Sequence, residues 1–254
     1  ITEKGYSHEP ATGHLRWDDP DILHDLDNPI RPRSAIGLLV YGLALRRERG
    51  LPPLTLLSCD NLQANGDTLR SLVLAFALRI DAALTGWIDK HCTFPNSMVD
   101  RIVPATRDED RARIAQRLGV EDAWPVVGEP YLNWVIEDKF AAGRPAWEAA
   151  GATFVTNAAP YERLKLRMVN GPHSALAYLG GLLGIATIGE AAALPALRGF
   201  LDDMMRCEIA PTLKGIPDVG LEGYRHRFLG RVVNPELPQL TRPVSYTHLR
   251  AHET

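Results

Sequence analysis

The chain has 254 residues, 45% of them hydrophobic, enough for one large or two small domains with a real core. Lys and Arg number 28 against 31 Asp and Glu, so the net charge of −3 supplies no basic field and excludes nucleic acid as an expected partner. Cys59, Cys92 and Cys207 form no CxxC pair, which suits a reducing cytoplasm and excludes a disulfide scaffold and a cysteine zinc site. No apolar run approaches the roughly 18 residues of a membrane span. The opening ITEKGYSHEP has neither the basic start nor the apolar stretch of a signal peptide, and it lacks an initiator Met, so the chain is expected to begin inside a longer protein.

The first stretch, ITEKGYSHEPATGHLRWDDPDILHDLDNP, is polar and rich in turn formers, and reads as a short strand followed by a long loop. Its His14, Asp18, Asp19, Asp21, His24 and Asp25 fit no usual ligand spacing, so no metal site is expected there. Ser34 caps a helix to about Arg49, with Ile36, Leu39, Val40 and Leu43 as its apolar face and Gly50 as its stop. LTLLSC then reads as a strand buried on both faces. It ends at Asp60-Asn61, the carboxyl end where open α/β sheets place ligands, so Asn61 is a candidate donor to a substrate oxygen as well as an ordinary turn former.

Helices are expected over Asp67–Ile80 and Asp81–Lys90, followed by strand and loop in FPNSMVDRIVPAT with Asn96, Asp100 and Arg101 as polar tips. RDEDRARIAQRLG reads as a short exposed helix with a solvated charged face. WPVVGEPYLNWVIED contains two strand-like runs, and Trp134, Trp147 and Phe154 read as core aromatics. Beyond Pro160 strand-like runs stop, and helices are expected over Tyr161–Asn170, Pro172–Leu183 and Glu190–Asp203.

Within YERLKLRMVNGPHSALAYLGG, Lys165, Asn170 and His173 interrupt an apolar helical pattern. At about 100° per residue they fall at roughly 0°, 140° and 80°, one broad sector. A lysine, an amide and an imidazole on one face can supply a base, an oxyanion donor and a further hydrogen bond, or simply be a snorkelling Lys and a satisfied core His. Pro172 has no N–H and should kink the helix or restart it at first-turn geometry.

KLRMVNGPHSALAYLG resembles the signature helix of the mannitol dehydrogenase family, the long-chain polyol and sugar-acid dehydrogenases that include mannitol 2-dehydrogenase and fructuronate reductase. LSCDN, FPNSMVDRIVPAT, EDKFAAGRPAWEAAGATFV and PYERLKL resemble family segments in family order, and the resemblance runs from Thr2 to about Arg242. It implies hydride transfer between a polyol or hexonate secondary alcohol and NAD or NADP, without metal, on a small-molecule substrate. It implies Lys165 as the acid–base, where lost hydration favours the neutral amine. Asn61 and Asn170 become the amide pair on the developing alkoxide, His173 a substrate-orienting residue, Asp100 a substrate hydroxyl contact, Glu3 a proton relay to bulk water and Arg242 a substrate-binding residue. VNGPHS leans toward the sugar-acid enzymes. Tyr161 and Lys165 also have the Tyr-x-x-x-Lys spacing of short-chain dehydrogenases, but their neighbours match the long-chain family.

Two departures shape the expectation. No glycine-rich strand–turn–helix fingerprint is present, so the cofactor-binding residues are unknown and the first βαβ unit is expected to be missing. After Arg242 the text changes to PVSYTHLRAHET, which resembles a translated adapter, so His248 and His252 are given no metal role. The expected architecture is a partial Rossmann-like α/β domain over 1–157, a mostly α-helical catalytic domain over 158–242 and an artefactual tail over 243–254. The alternative is a truncated, inactive fragment that binds no dinucleotide.

Overall fold

The computed structural model describes residues 3–9, 11–213, 220–235 and 239–241, with only the backbone at positions 3 and 4. They form two compact units that interleave in sequence. One takes the described residues up to Val99 with Asn133–Glu162; the other takes Asp100–Leu132 and the described residues from Arg163 onward.

The first unit is α/β. A 3-10 turn at Glu3–Tyr6 precedes helices α1 (Pro20–Asp27), α2 (Ala35–Glu48), α3 (Asn65–Ile80) and α4 (Ala82–His91). A three-stranded sheet has the order β1 (Ser97–Asp100), β2 (Asn133–Glu137), β3 (Ala152–Val155), with β2 and β3 parallel and Trp134 opposite Ala152. Its core is mainly aliphatic, with Ile22, Ile36, Val40, Val73 and Ile88 wholly buried beside the aromatic Phe76.

α1 overturns the long loop expected before Pro29. Asp19 caps it through the Asp21 N–H and Pro20 occupies its first turn, a start signal legible in DDPDIL. Asp25, on its last turn, is wholly buried and accepts from the Arg33 and Ser34 N–H groups and the Ser34 hydroxyl at 2.6, 2.9 and 2.7 Å. Ser34 in turn caps α2 through the Gly37 N–H. A Cβ at position 37 would lie 2.1 Å from Asp25 Oδ2, so only glycine admits that carboxylate.

LTLLSC lies beside Thr93 with one parallel bridge at Thr55, in place of the full strand expected. Side chains take over the ladder's work past Leu56. Asn65, wholly buried, donates to the Asp60 and Ser97 carbonyls at 2.9 Å and accepts from the Ser97 N–H at 2.9 Å. Ser97 Oγ donates to the Ser58 carbonyl at 2.5 Å. Such amide and hydroxyl bonds satisfy backbone groups without fixing strand dihedrals. α3 starts from Ala64 in the left-handed region, and Asn96 Oδ1 accepts its Gly66 and Asp67 N–H groups at 2.9 and 3.0 Å.

Of the two strand-like runs in WPVVGEPYLNWVIED only Asn133–Glu137 is a strand. Pro125 and Pro130 each remove a ladder donor from the earlier run. Trp134 and Trp147 pack at 5.3 Å, and Phe140 and Phe154 continue the cluster with the Arg144 guanidinium 3.3 Å over the Phe154 ring. These aromatics are half-buried, so the core expectation for them is corrected to a covered sheet face.

The second unit is helical. α5 (Asp108–Leu118) ends at Gly119 with φ +70°, and α6 (Ala159–Lys165), whose Arg163–Lys165 end belongs to this unit, leads into a π-helical turn over Leu166–Asn170. α7 (Gly171–Leu182), α8 (Ile188–Ala193), α9 (Pro195–Asp203), a second π-helical stretch (Met204–Ile209) and α10 (Leu221–Arg231) follow. The single helix expected over Glu190–Asp203 breaks at Leu194, which Pro195 holds at extended ψ 123°. Among the described residues no strand follows Val155, and Leu176, Ile188, Ala191, Leu201, Met205 and Phe228 form the second core.

Candidate active site

Lys165 closes α6, Asn170 closes the π turn and His173 stands in the first turn of α7. The widened turn has a local cause. Pro172 has no N–H for the Met168 carbonyl, and its ring would crowd that carbonyl in a regular helix. The Gly171 N–H reaches instead to the Leu166 carbonyl, five residues back, and α7 restarts with Pro172 in its first turn. The expected kink or restart is therefore a π turn, and it rotates Asn170 and His173 from the positions of a regular helix relative to Lys165. Lys165 and Asn170 are 8% and 5% exposed, flanked by the core residues Leu164, Met168 and Val169. Burial of an ammonium and an amide costs free energy unless partners are supplied, which sets these two apart from a snorkelling surface lysine.

Asp100 lies in the same compact unit, at the end of β1, and is 4% exposed. Its Oδ1 and Oδ2 each accept from Arg231 at 2.9 Å, and Oδ2 also accepts from the Tyr224 hydroxyl at 3.4 Å. Arg231 grips Glu129 as well, at 2.6 Å from Nη2 and 3.0 Å from Nε, and its guanidinium lies 4.0 Å over the Tyr131 ring. Burial opposes the Arg231 charge, but Asp100 and Glu129 outweigh it and hold the guanidinium above its ordinary value. Burial and then the Asp100 charge push the Tyr224 hydroxyl far up, so it stays a neutral donor.

Asn61 belongs to the other unit, on an exposed turn whose N–H donates to Asp60 Oδ1 at 2.8 Å. In that unit Glu162, 8% exposed, accepts from the Ala64 N–H at 3.3 Å, three residues past Asn61. The side chain of Glu3, and Arg242 entirely, lie outside the described residues. Sequence reasoning missed Arg231, Glu129 and Tyr224 around Asp100, and Asn65 beneath the Asn61 turn. A lone Glu in VVGEPY and a lone Arg after FLG were faint signals, since isolated charges in apolar surroundings must find partners. Among the described residues no three His, Cys, Asp or Glu side chains are grouped to hold a metal, and no helix is long and apolar enough to cross a membrane.

Residues 1–149 match the Mannitol dehydrogenase Rossmann domain and residues 157–251 match the Mannitol dehydrogenase C-terminal domain. This chain belongs to the mannitol dehydrogenase family. An oxidoreductase of Escherichia coli, YeiQ, is 49% identical over 95% of this chain and 49% of its own length. The D-mannonate oxidoreductase of that organism is 46% identical over 95% and 50%, and the mannitol 2-dehydrogenase of Phaeosphaeria nodorum 45% identical over 94% and 44%. Among solved structures, D-sorbitol dehydrogenase in substrate-free form superposes with TM-score 0.89 at 36% identity, over 96% of this chain and 51% of that one. Pseudomonas fluorescens mannitol 2-dehydrogenase, in a ternary complex with NAD and D-mannitol, superposes with TM-score 0.84 at 39% identity, over 96% and 50%. The chain spans about half the length of the relatives it matches.

Proposed function

We propose that the protein is an oxidoreductase interconverting a secondary alcohol of a polyol or hexonate and its keto form, with NAD or NADP as hydride carrier and without metal, in the cytoplasm. The observation that carries this reading is the buried pair Lys165 and Asn170 on one helical run, in a chain that both domains of a dehydrogenase family match. The division into a dinucleotide-binding part over 1–157 and a catalytic part over 158–242, with 243–254 as a foreign tail, belongs to the same proposal; the tail lies outside the described residues.

A bound carrier would supply the hydride acceptor for the carbinol carbon; the part left to this chain's residues is the hydroxyl proton, which must leave as the carbonyl forms. Lys165 Nζ, as a neutral amine, takes that proton; as an ammonium it returns it in reduction. Asn170 donates its side-chain N–H to the oxygen as negative charge develops, and Asn61 supplies the second amide. A ring N–H of His173 orients the oxygen, Asp100 accepts from a substrate hydroxyl, Glu3 relays the proton to water and Arg242 contacts substrate.

The described residues do not fit the carrier's pyrophosphate. The first N–H groups of α3 are taken by Asn96, and the positive-φ glycines Gly13, Gly50, Gly119, Gly143, Gly151 and Gly184 stand singly in separate turns. That favours a second reading, a fragment that binds no dinucleotide and is inactive alone. Calorimetry of this chain with NADH separates the readings. Micromolar affinity, about −8 kcal/mol, sinks the second one.

The substrate is tested with the holoenzyme. Faster NAD-linked oxidation of mannonate than of mannitol supports the sugar-acid type, toward which VNGPHS leans. If the holoenzyme oxidised no secondary alcohol of either class, the proposed function would be wrong.

A further inference from the structure

The cluster around Asp100 has an odd charge balance. Two carboxylates, Asp100 and Glu129, share one guanidinium, and the three side chains are 4%, 3% and 9% exposed. Burying an ion pair is a poor source of stability, and burying a surplus negative charge is worse. Fixed geometry is what the arrangement supplies. Arg231 uses Nε–H and one Nη2–H on Glu129, and the other Nη2–H and one Nη1–H on Asp100. Gripped along two edges and stacked on Tyr131, the guanidinium plane cannot turn, and the Asp100 carboxylate must follow it. The Ile102 N–H, 2.6 Å from Glu129 Oε1, pins the far carboxylate in its turn.

An ionised carboxylate has about four acceptor positions. On Oδ2 one goes to Arg231 and one to Tyr224; on Oδ1 one goes to Arg231. Among the described residues these three bonds leave one acceptor position, on Oδ1, in a fixed direction. We infer that Arg231 is a positioning residue, braced by Glu129, that aims Asp100 Oδ1 at one hydroxyl of the substrate and so sets which hydroxyl pattern is accepted. The inference rests on the proposed reading of Asp100 as a substrate contact. A lysine at 231 would be a point charge without the fork, neutralising Asp100 without fixing its plane.

The test is steady-state kinetics of the holoenzyme on its substrate and on the set of monodeoxy analogues. A hydrogen bond to a charged acceptor makes the wild type prefer the parent over one analogue by about 10–100-fold in kcat/KM. Arg231→Lys should raise the parent's KM by roughly tenfold, keep kcat within about threefold and shrink that preference below about threefold. A merely structural role would weaken parent and analogues by one common factor. If Asp100→Asn abolishes the preference while Arg231→Lys keeps it, the positioning role is overturned and the contact survives. If Asp100→Asn keeps it, the contact itself is wrong. Should Arg231→Lys fail to fold by thermal melt, Glu129→Gln serves. It removes only the brace and should lower the preference by about threefold; an unchanged preference overturns the inference.

Discussion

Asp25 and Asp100 are both buried carboxylates, and they are satisfied in opposite ways. Asp25 is bound by His24, Ser34 and the N–H groups at 33 and 34, all within nine residues, so its partners are mostly local backbone and hydroxyl. Asp100 is bound by Arg231, 131 residues away, and shares that cation with Glu129. The first arrangement joins α1 to α2 and is completed by chain geometry. The second spends burial on a charge balance that local structure does not need. The same contrast holds for Asn65, whose bonds end mostly on backbone groups of the first unit, and for Lys165, buried in the second. Polar burial in the first unit closes on neighbouring backbone; in the second it closes on partners distant in sequence.

The largest effect expected from that contrast is at Lys165. General acid–base catalysis contributes about 10²–10⁴-fold, or roughly 3–5.5 kcal/mol of barrier. Lys165→Ala should cut holoenzyme turnover at least about a hundredfold and flatten its pH dependence, with partial rescue by a small added amine. Lys165→Arg should not restore it, because guanidinium stays protonated. Turnover per folded molecule against pH is the measurement, and near-normal turnover in the arginine variant would remove Lys165 from proton transfer.

Asn65→Leu comes next and should act on stability. It leaves the Ser97 N–H and the Asp60 carbonyl without their buried partner, at a cost on the order of 2–3 kcal/mol by denaturant titration. A variant as stable as wild type would break the claim that this network builds the first unit.

At Asp25, burial acts to raise the carboxyl, but hydrogen bonds from His24, Ser34 and the two N–H groups outweigh it and hold it below the ordinary carboxylate range. A depressed folded value means the contribution is complete above the unfolded value of about 3.9 and is lost as pH falls through the folded value. Asp25→Asn should therefore destabilise by about 1–2 kcal/mol at pH 7, and the gap from wild type should close on acidification. A gap independent of pH would show that shape rather than charge matters there.

The smallest effect sharpens the comparison inside the second unit. Pro172→Ala restores an N–H and should let the run from Leu166 relax toward α geometry, changing stability by only about 0.4–1 kcal/mol. If the π turn persists in a structure of that variant, packing rather than proline produces it.

Much of the fold was legible because it is coded by neighbours. Ser34, Asp81 and Gly50 mark helix ends through bonds and dihedrals that involve only adjacent residues. Pro172 announced a break one residue away from where the helix widens. The loop that proved to be α1 was legible too, since Asp19-Pro20 is a start signal; the count of turn formers obscured it. LTLLSC was misread for another reason. An apolar run predicts burial, and whether a buried segment pairs as a strand depends on which donors lie opposite it.

By itself the sequence determined the helices and their caps, the α/β-then-helical order and, through residues clustered in one short run, the candidate trio Lys165, Asn170 and His173. Those are consequences of spacing, and spacing is local. Only the tertiary structure decided that Asn65 stands in for a strand ladder, that Gly37 exists to admit Asp25, and that Asp100 answers to Arg231 and Glu129. A charged side chain brought out of water must find a counter-charge, but nothing along the chain says which one, because the partners meet only after the core between them has formed.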